Sequence, residues 1–332
     1  MKALVYEAPK LMVIREREAP EPGPGEALIR VEQAGICGSE LSGYLGHNSL
    51  RKPPLIMGHE FAGTVHKLGA GVTRFQPGDR VTANPLITCG RCRNCTNGAS
   101  QLCANRKLIG AHCQGAFAEY VAVPETNLYL LGDRVSFDEG AFTEPLACAV
   151  HIARLLKPLP TQRLLIMGAG PIGLLTLRVA QIHGLTNIAV IDINEERLSI
   201  AAELGAITAA SLEALAHGGI GSFDAAIDAV GLESTRTQCV EALKPGGIVV
   251  FSGLHADASK LPINDMIRSE IRCQGAFAYH SDDFETAWQW IGEGRIRLSP
   301  WTIHAPLEQG GEAFERLIAG SGKIAKILLT VH

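Results

Sequence analysis

A glycine-rich turn between an apolar strand and a helix limits the folds open to this chain more than any other feature. Residues 168–173 read GAGPIG and fit the pattern G-x-G-x-x-G. They follow the apolar run RLLIM and open the helical stretch PIGLLTLRVAQIHG, and the next apolar run, NIAVID, ends at Asp192. This order of strand, turn, helix and strand with a terminal acidic residue predicts a dinucleotide-binding βαβ unit.

The residues of this turn have separate physical roles. Gly168 permits the tight turn, Gly170 lets the backbone approach a pyrophosphate, and Gly173 allows close packing of helix on strand. The helix N-terminus supplies free amides and the positive end of a dipole. Asp192 is expected to accept hydrogen bonds from ribose hydroxyls, and no basic residue follows it directly, so NAD is favoured over NADP. The predicted cofactor-binding residues are Gly168, Gly170, Pro171, Ile172, Gly173 and Asp192. The alternative is a plain glycine turn with a helix-capping aspartate.

The pattern of predicted strands and helices changes at about residue 140. Before it, short β-like runs lie among glycines and prolines and predict a compact, irregular β domain. After it, apolar strands such as FDAAIDAVG, IVVFSG and IRCQGAFA alternate with helical stretches, which predicts buried strands in a parallel sheet. The last forty or so residues end in the strand-like KIAKILLTV. That strand is free either to extend the parallel sheet or to fold back onto the first domain.

Length and composition exclude several classes of function. A chain of 332 residues is too long for one small metal-organised domain, and two domains are expected. The net charge of −4 argues against a nucleic-acid surface, and no apolar run is long enough for a membrane span or a signal peptide. Nine cysteines, an odd number, favour a reducing compartment. We therefore expect a cytoplasmic protein whose partner is a small molecule.

Four cysteines lie close together in the segment CGRCRNCTNGASQLC, with the spacing C-x2-C-x2-C-x7-C. Four thiolates can close a tetrahedron around Zn²⁺ and leave no position for a substrate, which is typical of a structural site. The predicted ligands are Cys89, Cys92, Cys95 and Cys103. Four unliganded thiols would be exposed and reactive, and iron–sulfur clusters use other spacings.

A second set of potential ligands is spread along the chain. Cys37 lies in AGICGSE, His59 and Glu60 lie in MGHEFAG, and Glu144 lies in FTEPLACAVH. Taken singly, each has an ordinary structural explanation, such as a buried thiol or a carboxylate early in a helix. Together they offer one thiolate, one imidazole and two carboxylates, enough for a three-ligand zinc site with an open fourth position, as catalysis requires.

The order of these motifs resembles a known family. AGICGSE, GHEFAGTVHKLGAGV, FQPGDRV, the four-cysteine segment, GAFAEYV, EPLACAVH and GAGPIG follow one another as in the zinc-dependent medium-chain dehydrogenases. Glutamate rather than cysteine in EPLACA resembles the polyol and threonine dehydrogenase branch. The resemblance implies an α/β protein with a β-rich GroES-like catalytic domain, residues 1–144 completed by residues 281–332, and a Rossmann domain with a doubly wound parallel sheet, residues 145–280.

The same resemblance implies the chemistry. Cys37, His59 and Glu144 become the ligands of a catalytic zinc, and Glu60 lies beside the metal, able to approach it or to bind through water. The cysteine segment becomes a structural brace. The implied reaction transfers a hydride from a secondary alcohol, a polyol or sugar alcohol, to NAD⁺, and the implied assembly is a homotetramer or homodimer.

The sequence also differs from the usual pattern of the family near the predicted catalytic zinc. Ser39, two residues after Cys37, matches the Ser or Thr that accepts the alcohol proton. Many relatives have a histidine five residues after the zinc cysteine, and Ser42 stands there; His47 is the candidate replacement. Position 40 holds glutamate where aspartate is usual.

Substrate recognition is the least defined part of the prediction. Tyr279 matches the tyrosine of an Arg-Tyr pair in the sorbitol branch, but Ala278 replaces the arginine. Tyr44 and His47 are further candidates for lining the cleft. The alternatives are a short-chain secondary-alcohol or L-threonine dehydrogenase, and an NAD-binding redox sensor without turnover. The combination of Cys37, His59 and Glu144 argues against the sensor, which would not need these ligands.

Overall fold

The computed structural model of the protein describes residues 1–297, 299–320 and 322–332. The chain divides into two units by its internal contacts. Unit 1 comprises Met1–Glu144, His280–Ser321 and Lys326–His332, and unit 2 comprises Pro145–Tyr279 and Gly322–Ala325. Within the described ranges, every helix is too short or too polar to span a lipid bilayer.

The strands fall into two groups, one in each unit. In chain order they are β1 (Lys2–Ala8), β2 (Leu11–Glu16), β3 (Glu26–Gly35), β4 (Leu55–Ile56), β5 (Glu60–Leu68), β6 (Arg80–Ala83), β7 (Leu86–Ile87), β8 (Lys107–Leu108), β9 (Tyr120–Pro124), β10 (Leu128–Leu130), β11 (Arg163–Met167), β12 (Asn187–Ile191), β13 (Ile207–Ala209), β14 (Phe223–Asp228), β15 (Leu243–Phe251), β16 (Arg272–Gly275), β17 (Thr302–Pro306) and β18 (Lys326–Thr330).

The helices are mostly short in unit 1 and flank the sheet strands of unit 2. They are α1 (Gly38–Tyr44), α2 (Arg93–Thr96), α3 (Phe137–Ala141), α4 (Thr143–Leu156), α5 (Pro171–Ile182), α6 (Glu195–Glu203), α7 (Leu212–His217), α8 (Glu233–Glu241), α9 (Ile263–Arg268), α10 (Ser281–Gly292) and α11 (Gly310–Ala319). Single 3₁₀ turns connect them at Ser100–Leu102, Glu125–Asn127, Ser299–Trp301 and Leu307–Gln309.

Unit 1 is built on a mostly antiparallel seven-stranded sheet. Its strand order is β10-β6-β5-β3-β18-β17, and β9 also pairs with β3. Strand β18 runs antiparallel to β3, with Leu328 opposite Gly35, so the end of the chain folds back onto the first part of the sequence. The KIAKILLTV segment thus folds back onto the first domain and does not extend the parallel sheet. Its buried apolar residues lie beside β3.

The pairing of β3 with β5 positions the residues that matter for function. Gly35, the last residue of β3, lies opposite Glu60, the first residue of β5. Cys37 lies two residues after the end of β3 and directly precedes α1, while His59 directly precedes β5. The strand register therefore brings residues 37 and 59–60 together although more than twenty residues separate them in sequence.

Unit 2 contains a six-stranded sheet in the order β13-β12-β11-β14-β15-β16. Every neighbouring pair in it is parallel. In the order of their occurrence these strands read 3-2-1-4-5-6, the arrangement of a doubly wound dinucleotide-binding sheet. The predicted α/β fold class, a β-rich domain plus a doubly wound parallel-sheet domain, is confirmed.

One strand of unit 2 differs from its predicted environment. The segment IRCQGAFA forms β16, but all four strand residues, Arg272–Gly275, are exposed, so the prediction of a buried strand is wrong here. The reason is position, because β16 pairs only with β15 at the end of the described sheet. An edge strand lacks the neighbour that buries its central counterparts.

The glycine turn after β11 has the geometry that its sequence predicts. Gly168 has φ +104°, which favours glycine. A Cβ on Gly173 would overlap the carbonyl oxygen of Gly168, so α5 lies against the turn without room for a side chain. At Gly170, in contrast, a Cβ would meet nothing within 4 Å.

We expect Gly173→Ala to lower the free energy of unfolding by roughly 1–3 kcal/mol, because the added methyl forces α5 away from the turn. Gly170→Ala is the matched control and should change it by less than about 0.5 kcal/mol, since its methyl enters open space. Urea unfolding followed by circular dichroism measures both. Equal midpoints for the two variants would contradict this account of the turn.

Candidate functional site

Three of the predicted metal ligands meet inside unit 1. The Sγ of Cys37, a ring nitrogen of His59 and a carboxylate oxygen of Glu60 lie within 4.8 Å of one another. His59 and Glu60 are buried and Cys37 is half-buried. We call Cys37, His59 and Glu60 the three-donor cluster. A thiol, an imidazole and a carboxylate at this spacing fit around one ion.

The fourth predicted ligand lies outside that distance. Glu144 is buried in the first turn of α4. Among the described residues, the group of donors that approach within 4.8 Å of one another does not include it. Its charge nevertheless contributes to raising the pKa of Lys326, which is hydrogen-bonded to Glu60. Glu144 is therefore in the neighbourhood of the cluster, and its role as a ligand stays a prediction.

Glu40 orients His59 and the backbone next to the cluster through hydrogen bonds. It is fully buried, and its carboxylate accepts hydrogen bonds from three donors: His59 Nδ1 at 2.7 Å, the backbone N–H of Gly58 at 2.9 Å and that of Cys37 at 3.0 Å. Because Nδ1 faces Glu40, Nε2 is the imidazole atom left for a metal. Glutamate at position 40, where the family usually has aspartate, reaches His59 directly.

The cluster attracts positive charge. Burial alone would lower the pKa of His59, but the negative charges of Glu40 and Cys37 hold it well above its ordinary value. Burial alone would raise the pKa of Glu40, yet the attraction of His59 and Arg51 lowers it. The three-donor cluster thus behaves as a site that favours a cation, which agrees with the chemistry of its donors.

A buried lysine holds one carboxylate oxygen of Glu60. Lys326 Nζ donates to Glu60 Oε2 at 2.5 Å and to the carbonyl of Ile36 at 3.1 Å. Burial would lower the pKa of Lys326, but the charges of Glu60 and Cys37 raise it. Lys326 was not among the site residues predicted from the sequence. A lysine that interrupts the apolar run KIAKILLTV was the only signal for it.

Of the two predicted proton-transfer residues, Ser39 lies beside the three-donor cluster and His47 lies in an exposed loop. Ser39 Oγ donates to Cys37 Sγ at 3.4 Å, so its hydroxyl lies beside the cluster. Arg51 donates from a terminal nitrogen to Ser39 Oγ at 3.1 Å, a contact that no local sequence pattern predicts. His47 is exposed in the loop after α1, and its backbone N–H donates to the carbonyl of Ser42 at 2.9 Å.

The two predicted substrate residues are both buried. Tyr44 packs against Phe314 with ring centroids 5.2 Å apart, and its hydroxyl donates to the carbonyl of Lys10 at 3.1 Å. Those contacts place its ring in the core of unit 1. Tyr279 is 1% exposed at the end of unit 2. Their roles as substrate contacts stay predictions.

The four cysteines of the CGRCRNCTNGASQLC segment converge as well. Their sulfurs lie within 4.8 Å of one another, with distances of 3.5 Å for Cys92–Cys95, 3.5 Å for Cys89–Cys103 and 4.0 Å for Cys89–Cys95. A tetrahedral zinc site with Zn–S bonds of 2.3 Å requires sulfurs about 3.8 Å apart. The observed spacing fits that requirement.

The surroundings of this segment shift the pKa values of two of its thiols in opposite directions. Backbone hydrogen bonds from Arg91 and Cys92 lower the pKa of Cys89 to about 6, while burial raises the pKa of Cys95 to about 11. A thiolate is thus already favoured at one position, and a metal ion would have to displace the proton at another.

Asp192 joins the glycine turn to the end of β12. Its Oδ2 accepts the backbone N–H of Ala169 at 2.7 Å, and its Oδ1 accepts that of Asn194 at 2.8 Å. The carboxylate therefore lies at the turn where a bound dinucleotide is expected. Helix α5 begins at Pro171 with Gly170 as its N-cap, so its first amides face the same region.

Comparisons with known proteins match both units. The family profile of the alcohol dehydrogenase GroES-like domain matches residues 23–133, and that of the zinc-binding dehydrogenases matches residues 171–293. The chain is 33% identical to the L-threonine 3-dehydrogenase of Xanthomonas euvesicatoria pv. vesicatoria over 99% of each chain. It is 34% identical to "Probable D-xylulose reductase A" of Aspergillus terreus over 92% of each.

A solved structure agrees over the full length. The short chain alcohol dehydrogenase rspB from Escherichia coli CFT073, complexed with NADH, superimposes with a TM-score of 0.92 at 30% identity, covering 100% of this chain and 99% of the other. These matches confirm the resemblance and the GroES-like and Rossmann folds. The chain belongs to the zinc-dependent medium-chain dehydrogenases, in the branch that contains the threonine and polyol dehydrogenases.

Proposed function

We propose that this chain oxidises a secondary alcohol, a polyol or sugar alcohol, at a catalytic zinc and transfers the hydride to NAD⁺. The observation that carries the proposal is the three-donor cluster, in which Cys37, His59 and Glu60 meet within 4.8 Å. Donors of these types in a site that favours a cation are suited to a transition metal. Ser39, at 3.4 Å from the sulfur of Cys37, adds a hydroxyl beside them.

In this proposal Cys37, His59 and Glu144 hold the catalytic zinc, and Glu60 stands beside it. Bound zinc would supply Lewis-acid polarisation of the alcohol oxygen. Glu40 keeps the imidazole of His59 in one tautomer, and Lys326 retains one oxygen of Glu60. Both contacts limit how far the donors can turn away from the ion, which is the positioning that catalysis needs.

Ser39 is the proposed first acceptor of the alcohol proton, since its hydroxyl lies against the cluster. His47 is the proposed onward acceptor, and its exposure supports exchange with water. Position 42 carries a hydroxyl instead of an imidazole, so the path from Ser39 outward differs from that of relatives that have histidine there.

NAD⁺ is the proposed hydride acceptor. Gly168, Gly170 and Gly173 leave the turn open to a pyrophosphate, with Pro171 and Ile172 starting the helix whose amides face it. Each carboxylate oxygen of Asp192 accepts one backbone N–H and retains a lone pair for a ribose hydroxyl. A 2′-phosphate would be repelled by that carboxylate. Similar dehydrogenases of known structure contain either NADH or NADP, so the choice of NAD⁺ rests on Asp192.

The polyol class rests on similarity to the Aspergillus xylulose reductase at 34% identity, and L-threonine is the second candidate because of the Xanthomonas relative at 33%. Ala278 offers no guanidinium to a substrate, and the hydroxyl of Tyr44 already donates to a backbone carbonyl. Tyr279 remains the proposed aromatic contact, and a small-molecule alcohol the proposed partner.

The four-cysteine segment is proposed to bind a structural zinc through Cys89, Cys92, Cys95 and Cys103. All four positions of a tetrahedron are taken by sulfur, so no position is open to substrate. Its role is then to order an exposed loop, because α2 within it has only four residues and needs another source of stability.

A homodimer or homotetramer is also part of the proposal. Strand β16 lies at the end of the described sheet of unit 2, and its four residues are exposed. An edge strand presents unpaired backbone groups that a second copy of the chain can cover.

The function is tested by oxidation of four alcohols: xylitol, myo-inositol, 2-propanol and L-threonine. We expect the chain to oxidise a polyol fastest.

We expect Cys37→Ser to reduce turnover by several orders of magnitude, because the substitution removes one zinc ligand. Binding of NADH should persist in this variant. Zinc analysis should show about two ions per chain in the wild type and about one in the variant. Cys113→Ser, at a cysteine outside both clusters, is the control. Unchanged activity in Cys37→Ser would reject the catalytic-zinc proposal, and strict preference for 2-propanol would reject the polyol class.

We expect Cys95→Ser to lose about one zinc per chain and to unfold at a lower temperature, because a closed metal site contributes free energy of folding. Residual activity at low temperature should remain, in contrast to Cys37→Ser. Differential scanning calorimetry with metal analysis makes the measurement. A variant with unaltered zinc content and melting temperature would show that this segment is not a metal-dependent brace.

We expect Asp192→Ala to raise the ratio of kcat/KM for NADP⁺ to that for NAD⁺ by at least about tenfold, since the ribose acceptor and the negative charge are both removed. The variant also loses the bond to Ala169, so its stability should fall slightly. Glu195→Ala, which changes a nearby exposed carboxylate, is the control. An unaltered cofactor ratio would count against the proposed ribose contact.

A further inference from the structure

Arg51 is a buried arginine beside the proposed catalytic serine. Only 3% of the residue is exposed, although it lies in the loop between α1 and β4. Its stem lies across α1 at Gly43, where a Cβ would come within 2.7 Å of the Arg51 Cδ. Helix α1 therefore has a glycine where this side chain crosses it, and the arginine occupies a place shaped for it.

The contacts of Arg51 point to Ser39. A terminal nitrogen of its guanidinium donates to Ser39 Oγ at 3.1 Å, and Ser39 Oγ lies 3.4 Å from Cys37 Sγ. The Nε of Arg51 is buried and has no hydrogen-bond partner among the described residues. Burying a charged group with few hydrogen bonds is unfavourable, so a purely structural purpose gives a poor account of this arrangement.

A second possible purpose is to balance the charge of Glu40. Arg51 does contribute to lowering the pKa of that carboxylate. However, the ion pairs within 4.0 Å among the described residues join Glu40 to His59 and not to Arg51. The short contact of the guanidinium is made to the serine hydroxyl, and charge balance alone does not require that contact.

The chemistry of the two groups gives the contact a consequence. A serine hydroxyl has one proton and two lone pairs, whereas a guanidinium only donates and does not lose its proton. The bond from Arg51 occupies one lone pair of Ser39, so the serine proton cannot point toward Arg51. It must point toward Cys37 or toward solvent, and the second lone pair is left to accept a proton.

We propose that Arg51 is a positioning residue that fixes the hydrogen-bond direction of Ser39 in the proposed alcohol oxidation. The inference rests on the proposed function. When an alcohol gives its hydroxyl proton to the free lone pair of Ser39, the serine releases its own proton toward solvent, so the charge of Ser39 is unchanged. Arg51 takes no proton in this transfer. Its contact keeps the accepting lone pair in one direction in a chain that has Ser42 where relatives have histidine.

The test is a double-mutant cycle of Arg51→Met and Ser39→Ala, with the alcohol of the four-member panel that the wild type oxidises fastest. Arg51→Met alone should lower kcat about 10- to 100-fold, the range of one hydrogen bond to a charged group, and should leave KM nearly unchanged. In the Ser39→Ala background the same change should have little further effect. Equal losses in both backgrounds would overturn the proposal, because Arg51 would then act independently of Ser39.

Two further variants separate positioning from packing. Arg51→Lys retains a group that only donates and should recover part of the kcat lost in Arg51→Met. Arg80→Met is the matched control, since Arg80 donates to the carbonyls of Gly132 and Val135 away from the cluster. It should lower the melting temperature without any coupling to Ser39. Arg51→Met must retain its zinc content, and a variant whose lost activity follows lost zinc would contradict the proposal.

A readout without turnover distinguishes failure of this inference from failure of the proposed function. Ser39 donates to the sulfur of Cys37, so a change in its direction should alter the part of the thiolate-to-metal charge-transfer band of the Co²⁺-substituted protein that is lost in Cys37→Ser. The remainder of the band would come from the four-cysteine segment. We expect the band to shift in Arg51→Met and in Ser39→Ala, with no additional shift in the double variant. A wild type that oxidises none of the alcohols would reject the proposed function. An unshifted band in Arg51→Met would reject the positioning role by itself, and a protein whose band loses nothing in Cys37→Ser would reject both.

Discussion

The antiparallel register that sets Gly35 opposite Glu60 is the constraint on which the proposed site depends. It places the end of β3 next to the start of β5, and with them the three-donor cluster. Strand β18 pairs with the other edge of β3 and brings Lys326 to the carbonyl of Ile36 and the carboxylate of Glu60. A shift of one residue in either pairing would turn these side chains to the opposite face of the sheet.

Charge is balanced group by group around the cluster. Glu40 accepts hydrogen bonds from His59 and two backbone amides, and Glu60 is paired with Lys326. A buried carboxylate without such donors would be protonated and would lose its value as an acceptor or ligand. The folded chain therefore keeps a compact group of opposite charges in which a divalent ion can supply the positive charge that the thiol and carboxylates favour.

Features that depend on neighbouring residues could be predicted from the sequence, whereas contacts between residues far apart in the chain could not. The glycine turn and the four cysteines are local patterns, and the structure gives both the expected geometry. The alternation of strands and helices predicted the parallel sheet, but it could not show that β16 lies at an edge, because strand order is a long-range property. Lys326 and Ile36 are 290 positions apart, so their contact has no local signature. Arg51 lies in a loop without periodicity, so its burial against Gly43 has no local sequence signal.

The four cysteines and the three-donor cluster also differ in how far apart their members lie in the sequence. This difference explains why the first site is suited to stabilising the fold and the second to catalysis. The four cysteines close a loop of fifteen residues, so a metal there can order the segment at small entropic cost and with little help from the rest of the fold. The cluster of Cys37, His59 and Glu60 exists only when β3 and β5 are paired, and the pairing of β18 with β3 brings Lys326 beside it. Its donors are held by the sheet instead of by the ion, so they can leave a position open to substrate without loss of structure. A site that a metal must organise cannot have that freedom, because every ligand it gives up would cost stability.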